Sequence, residues 1–183
     1  IRKEPWLKLY ALRCADWLCE IQLESGAFAG LLGDDHKPST FNTGQIIFGL
    51  VRAFEETENP KYLQAFQGAT EWLSKIMEID GSWQKGAYVA GFSPSYNTRV
   101  VWAMLFANRH LKQPLIVEKA RLAFYHYSQK ILPNGAVQDW SFAPEQPAFT
   151  HTIAYTLRGL LEVSILLSSS SFTPLTPEGG SPP

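Results

Sequence analysis

Two short segments of the chain concentrate side chains that could hold a carboxylate and move a proton. The first contains Tyr96, Asn97 and Arg99, and the second contains His151 and Tyr155. Tyrosine and histidine can act as general bases, whereas arginine and asparagine can hold a carboxylate through hydrogen bonds. We therefore predict that His151, Tyr96 and Tyr155 are catalytic candidates and that Asn97 and Arg99 bind a ligand.

Further ligand-binding candidates combine amide, aromatic and acidic side chains. Polar groups fix a sugar by hydrogen bonds, and aromatic rings stack on its apolar face. The additional residues predicted to bind a ligand are Asn42, Gln45, Trp83, Trp140, Asp34 and Asp35. The two cysteines, Cys14 and Cys19, are interpreted as packing residues. We expect neither a metal nor a cofactor.

Each candidate also has a structural interpretation. Asn42 and Asn97 could cap helices, and Trp83 could pack within a turn. The two aspartates could form a solvated turn after a glycine, and His151 could be a capping histidine. An arginine at the start of a helix needs a partner, and either a loop acid or a carboxylate substrate would serve Arg99. The sequence leaves these alternatives open.

The distribution of carboxylates separates two reaction schemes. Glycoside hydrolysis usually requires two carboxyl groups that face each other across the scissile bond. The acidic candidates lie only in predicted loops, at Asp34, Asp35, Asp139 and Glu145. A lyase or epimerase scheme, with a tyrosine or histidine base, fits the polar residues better.

A repeat of about 55 residues organises these segments. Trp17 recurs as Trp72 and then as Tyr127, at intervals of 55 residues, and a glycine turn follows each copy. The same interval separates three leucines that we expect in equivalent positions: Leu50, Leu105 and Leu160. The apolar residues between these positions recur at helical spacing. The sequence therefore predicts an all-α fold of three tandem helical hairpins.

Each hairpin is predicted to contain two helices joined by a loop of roughly a dozen residues. The six helices are predicted over residues 5–23, 42–57, 60–78, 96–111, 114–131 and 150–167. Phe48 and Trp102 fall inside the second helices and are predicted to be core residues. Residues 1–167 form the predicted repeat domain, and the Ser-, Pro- and Gly-rich residues 168–183 are predicted to be a tail or linker.

The repeated motifs resemble those of α/α toroids. The copy running from Trp17-Leu18 to Gly26-x-Phe28 resembles the Gln-Trp repeat of terpenoid cyclases and prenyltransferases. The segments Phe41-Asn42-Thr43-Gly44-Gln45 and His151-Thr152-Ile153-Ala154-Tyr155 resemble the six-hairpin glycosidase group of hydrolases, lyases and epimerases. With three hairpins, this chain would form about half of such a toroid.

The resemblance implies a carbohydrate-processing domain, with uronic-acid-containing saccharides as the expected ligands. A non-catalytic glycan-binding or structural repeat domain is the alternative. Cyclase activity is disfavoured because the chain has no aspartate-rich acid motif. In such a toroid the second helices line the interior and the loops meet at one end. We therefore expect Tyr96, Asn97, Arg99 and His151 to share one cleft.

Composition excludes several classes of partner. The chain has 183 residues and a formal net charge of −1, which does not favour binding to nucleic acid. No apolar run approaches the roughly 20 residues that span a bilayer, so no membrane association is expected. Few cysteines fit a reducing, cytoplasmic location. The end helices carry apolar residues on more than one face, so we expect a second copy or further hairpins to cover them.

Overall fold

The computed structural model describes residues 5–30 and 37–169, and within them the regular structure is helical. Apart from two isolated bridges, Ala29–Pro38 and Ile131–Val137, the described residues form no β-structure. A 3-10 helix, Ser95–Asn97, precedes the fourth α-helix. The α-helices in chain order are α1 (Pro5–Glu20), α2 (Thr40–Thr57), α3 (Pro60–Ile76), α4 (Thr98–Leu111), α5 (Pro114–Ser128) and α6 (Thr150–Ser169).

The six predicted helices are confirmed, with differences only at their ends. The helices α1, α3 and α5 stop two or three residues earlier than predicted because the chain already turns toward the glycine that follows each one. Helix α6 continues two residues into the predicted tail, where the Ser168 and Ser169 hydroxyls bond backbone carbonyls four residues back. The rest of the predicted tail lies outside the described residues.

Local signals explain where several helices begin. Asn59 caps α3 by accepting a hydrogen bond from the Lys61 amide, as the sequence indicated, and proline occupies the first turn of both α3 and α5. The cap of α2 is Ser39 rather than Asn42. Asn97 stands at the N-cap position of α4 but makes no capping bond with its side chain.

The helices form two layers. Helices α2, α4 and α6 lie side by side in the order α2–α4–α6, and we call them the inner helices. On one side of this row, α3 packs against α2 and α4, α5 packs against α4 and α6, and α1 packs less extensively against α2 and α3. The main hydrophobic core lies between the layers. Leu50 and Leu105 are buried there, whereas Leu160, on the last inner helix, is only half-buried.

Glycines allow the inner helices to approach one another closely. A Cβ atom on Gly44 of α2 would lie 2.9 Å from the Val100 side chain of α4. A Cβ atom on Gly159 of α6 would lie 2.4 Å from Thr98 Oγ1 of α4. The backbones are therefore too close for any larger residue. None of the described helices is long and apolar enough to cross a membrane.

Candidate functional site

The inner helices present a row of aromatic and charged side chains on the side turned away from the other layer. We call this surface the inner wall. Helical spacing of three or four residues places its members on one face of each helix. They are Phe41, Gln45, Phe48 and Arg52 on α2, Arg99, Trp102 and Phe106 on α4, and Tyr155, Arg158 and Glu162 on α6.

Arg99 occupies the centre of the inner wall within an aromatic cage. Its guanidinium carbon lies 5.2 Å from the ring centroid of Phe48, 5.2 Å from that of Trp102 and 4.9 Å from that of Tyr155. Cations are attracted to aromatic faces at such distances. Burial lowers the pKa of Arg99 from its ordinary value, yet the side chain remains a cation at neutral pH. The cage therefore holds a partly desolvated positive charge.

The hydrogen-bond partner of Arg99 is an amide rather than an acid. Arg99 Nε donates to Gln45 Oε1, and among the described residues Arg99 forms no ion pair. Because Gln45 Oε1 must face the arginine, its Nε2 atom points elsewhere. This Nε2 atom is buried and has no partner in the described part of the chain. Buried donors are nearly always satisfied in folded proteins, so an unsatisfied donor beside a cation points to an anion-binding position.

The inner wall continues on either side of the cage as stacked arginine and aromatic side chains. Trp102 lies between two arginines, since the Arg158 guanidinium carbon is also 5.2 Å from its ring centroid. Arg158 pairs with Glu162 on the same helix. Further along, Phe106 lies beneath the guanidinium group of Arg52, with 5.4 Å between that carbon and the ring centroid.

The acidic side chains on and beside the inner wall are already paired with basic residues. Glu55 accepts hydrogen bonds from Arg52, Arg109 and His110. Burial raises the pKa of Glu55, but the hydrogen bonds from His110 and Arg52 lower it more, and the net shift is downward. Its carboxylate therefore stays ionised and occupied. Together with the Glu162 pair, this arrangement leaves no free carboxylate on the described wall for a two-acid hydrolysis.

An aromatic cluster covers the end of the wall where the inner helices begin. His151 is exposed and stacks on Phe149, with 5.7 Å between ring centroids. The His151 ring also lies 5.4 Å from that of Phe142 and 5.7 Å from that of Tyr155. Tyr155 also contacts the Arg99 guanidinium, so it connects His151 to the Arg99 cage. This brings His151, Tyr155, Arg99 and Gln45 into one continuous surface.

Tyr96 and Asn97 face a different space. They line a cavity of about 640 Å³ between the loops, together with Asn42, Phe41 and Phe142. Burial, and secondarily the nearby Tyr88, raises the pKa of Tyr96 to about 12. This upward shift makes the deprotonated form of Tyr96 harder to reach at neutral pH. Arg99, His151 and Tyr155 do not line this cavity, so the single predicted cleft is in fact two neighbouring compartments.

The Phe41 ring separates these compartments. Its centroid lies 4.9 Å from that of Tyr96 and 5.6 Å from that of Tyr155. Asn97 is buried and its side chain bonds the Tyr127 hydroxyl, which gives it a structural contact in the core. Asn42 Nδ2 donates to the Ala29 carbonyl oxygen at 3.4 Å, close to the limit of a hydrogen bond.

The structure corrects the expectation for Trp83. This side chain is 0% exposed, its indole Nε1 donates to the Leu73 carbonyl oxygen, and its ring stacks on Tyr127. Trp83 is therefore a core residue of the turn and is not available to a ligand. Trp140 is half-buried in the loop before α6. Asp34 and Asp35 lie outside the described residues.

Two aromatic residues of the cage were assigned to the core from the sequence. Phe48 and Trp102 are half-buried on the inner wall, with 4.5 Å between their ring centroids. The signal that could have identified them is their spacing of three residues from Gln45 and Arg99, which places each aromatic ring one turn from a polar residue on the same face.

Comparison with known proteins supports the fold. No protein-family model matches the chain, and no curated protein is similar to it in sequence. The crystal structure of a possible member of the GH105 family from Salmonella enterica serovar Paratyphi A is similar, with a TM-score of 0.67 and 13% sequence identity. The match covers 91% of this chain and 51% of that chain, so this chain spans about half its length. The chain therefore has an all-helical α/α-toroid fold, as its repeated motifs predict.

Proposed function

We propose that the inner wall binds a saccharide that carries a carboxylate, and that the domain is of the carbohydrate-processing type. The single observation that carries this proposal is the Arg99–Gln45 pair. A caged cation has only a neutral acceptor, and a buried amide donor beside it has no partner among the described residues. A uronate carboxylate bound by Arg99 would supply the missing negative charge.

The surroundings of Arg99 suit a sugar ring as well as an anion. The hydrogen bond to Gln45 uses Arg99 Nε, so the two terminal nitrogens of the guanidinium remain to grip a carboxylate. Tyr155 borders the same point and offers an aromatic ring to the apolar side of a pyranose. Hydrogen bonds to charged groups contribute about 1.5–3 kcal/mol each, which favours an acidic sugar over a neutral one.

The residues around this point fit proton transfer better than a two-acid hydrolysis. Removal of the proton on the carbon beside a carboxylate becomes easier when a cation stabilises the developing negative charge. Arg99 would stabilise this charge, and Tyr155 and His151 are the neighbouring groups able to take and return a proton. Lyase and epimerase chemistry both begin with this step. We therefore place these two activities ahead of hydrolysis.

Binding can be tested directly with calorimetry on oligogalacturonate and oligoglucuronate, with a neutral glucan oligomer for comparison. We expect the acidic oligomers to bind more tightly. Arg99→Gln should weaken that binding at least about 10-fold, equivalent to about 1.4 kcal/mol. The matched control is Arg52→Gln, which changes an exposed arginine of the same wall and should have a small effect. Equal affinity for neutral and acidic oligomers, or unchanged binding by Arg99→Gln, would refute the proposal.

A non-catalytic glycan-binding domain is the second candidate. The observation that favours it is the engagement of both Glu55 and Glu162 by arginines, which leaves the described wall without a free acid. Solvent deuterium incorporation into a bound uronate, or an unsaturated product, distinguishes an enzyme from a binding domain. If the protein is an enzyme, Tyr155→Phe should abolish deuterium incorporation and formation of the unsaturated product, while changing the affinity for the uronate by less than about 3-fold. No signal from the unmodified protein would favour the binding domain.

A further inference from the structure

The last inner helix carries an exposed apolar stripe on the side where a further inner helix would lie. Leu157, Leu161 and Ile165 are 49%, 58% and 51% exposed and follow one another at intervals of four residues. The face that packs on α4 contains the buried residues Thr156 and Gly159. At 3.6 residues per turn, the stripe lies nearly opposite that face. Helix α6 therefore has two opposite sides suited to helix packing, one of small residues and one apolar, and the described residues cover only the first.

The first inner helix has a complementary feature at the other end of the row. A Cβ atom on Gly49 of α2 would meet no atom of the described residues within 4 Å. Gly49 lies on α2 well away from Gly44, whose side of the helix packs on α4. The two contacts between inner helices seen within the chain both use a glycine, Gly44 in one and Gly159 in the other. Gly49 thus offers an open third position for the same kind of close helix contact.

The glycine turns give an independent indication of an uncovered end. A Cβ atom on Gly26 would lie 2.4 Å from the Gly68 carbonyl oxygen of α3, and one on Gly81 would lie 2.7 Å from the Leu122 carbonyl oxygen of α5. Each of these turns therefore packs on the next helix of the outer layer. At the corresponding turn, a Cβ atom on Gly135 would have no neighbour within 4 Å in the part of the chain that the structure describes. A helix beyond α6 would fill this place.

We infer that a second copy of this chain packs its α6 stripe against the Gly49 face of α2, and that the reverse contact forms at the other end. The two faces lie at opposite ends of the row α2–α4–α6. A two-fold axis can therefore place the α6 stripe of each copy against the Gly49 face of the other. One face projects large apolar side chains and the other offers a glycine notch, which makes them complementary in shape. The outer helix α1 of each copy, with Tyr10 57% and Trp17 56% exposed, would then lie beside the Gly135 turn of the other.

This arrangement goes beyond the proposed binding function and supplies what the site needs on its open side. The row α2–α4–α6 forms only one wall around Arg99 and Trp102. In a closed pair, the inner wall of the partner would face it across a common interior. Exclusion of water there would strengthen the hold of Arg99 on a carboxylate. The pairing rests on helix faces that do not include the Arg99 cage, so the two proposals can be tested separately.

The first test measures the mass of the protein in solution by light scattering and sedimentation equilibrium at about 1 to 100 μM. We expect twice the 20.6 kDa mass of one chain. Gly49→Trp should shift the pair to monomers while helical content by circular dichroism is retained, since the added side chain enters open space. The matched control, Gln64→Trp on the exposed surface of α3, should stay paired. A monomer throughout this range, or a pair that Gly49→Trp leaves intact, would overturn the inference.

A second test identifies the contact itself. In a background with Cys14→Ser and Cys19→Ser, chains with Gly49→Cys are mixed with chains with Leu157→Cys or Leu161→Cys and then oxidised mildly. We expect disulfide-linked pairs of the two different chains in preference to linked pairs of either chain alone. Pairs that form without this mixed link would show a different interface and would equally overturn the inference. Uronate binding by the cross-linked pair, compared with Arg99→Gln, reports on the proposed function alone.

Discussion

Gln45 and Arg99 form a hydrogen bond between α2 and α4 in which Gln45 Oε1 accepts from Arg99 Nε. The geometry assigns the remaining amide nitrogen, Gln45 Nε2, as a buried donor with no partner in the described part of the chain. A glutamate in place of this glutamine would have neutralised the arginine and removed the unsatisfied donor. The choice of an amide therefore keeps the positive charge available on the inner wall.

Gln45→Glu should block the anion site, because it places a carboxylate of the protein itself beside Arg99. The new carboxylate has nearly the same shape and would pair with Arg99, which removes both features that favour a uronate ligand. We expect uronate affinity to fall at least about 10-fold while the melting temperature stays equal or rises. Calorimetry and thermal unfolding measure the two effects. Asn42→Asp, the same change on the same helix but facing the loop cavity, is the control and should leave uronate binding nearly unchanged.

The two tryptophans predicted to bind a ligand should behave differently when truncated. Trp83 is fully buried and bonded through its indole nitrogen, so Trp83→Ala should reduce the free energy of unfolding by about 3–5 kcal/mol. Trp140 is half-buried in a loop, and Trp140→Ala should cost less than about 1 kcal/mol. Urea unfolding followed by circular dichroism measures both. A stable Trp83→Ala protein with weakened saccharide binding would contradict our assignment of Trp83 to the core.

The positions of the helices could be predicted from the sequence because several independent signals agree. The interval of 55 residues, the prolines at 60 and 114 and the glycine turns all mark the same boundaries. The side of a helix that faces a binding surface is harder to predict. An aromatic residue such as Trp102 satisfies the same apolar periodicity whether it enters the core or borders a cation.

Sequence proximity also misled the prediction of a single cleft. Tyr96 and Arg99 are only three residues apart, but Tyr96 lies in the 3-10 helix and faces the loop cavity, whereas Arg99 is on the first turn of α4 and faces the inner wall. A spacing of three residues keeps two side chains on roughly the same side of either kind of helix, and it is the Phe41 ring from α2 that lies between Tyr96 and the Tyr155 side of the cage. A contact from another helix is not visible in the local sequence.

The glycine turns make a further prediction about stability. Gly81→Ala would place a Cβ atom 2.7 Å from the backbone of α5 in a residue with a φ of +87°. Gly91→Ala is the control for backbone strain without close packing, because Gly91 has a φ of +77° and no described atom lies within 4 Å of the added Cβ. We expect Gly91→Ala to cost about 1–2 kcal/mol and Gly81→Ala to cost clearly more, because turn and helix must separate. Equal losses in urea unfolding would show that the close packing of the turn on α5 contributes little.

His126 should make the stability of the fold sensitive to mild acid. Its side chain is largely buried, its Nε2 atom has no partner among the described residues, and Nδ1 lies 3.4 Å from Asp80 Oδ2. Burial first, and the nearby Lys130 second, lower the pKa of His126 from its ordinary value of 6.5, although Asp80 and Asp139 oppose this shift. The folded protein therefore favours the neutral ring more than the unfolded chain does.

A lowered histidine pKa means that the unfolded chain binds the proton first as the pH falls. The stability contributed by neutral His126 is complete above about pH 6.5 and is lost as the pH drops from there through the folded pKa, by at most about 1.4 kcal/mol per pH unit. Urea unfolding at intervals between about pH 8 and pH 5 measures this slope. His126→Gln should flatten it, whereas His151→Gln, which alters an exposed histidine, should preserve it. If His126→Gln keeps the full slope, another group is responsible for the acid sensitivity.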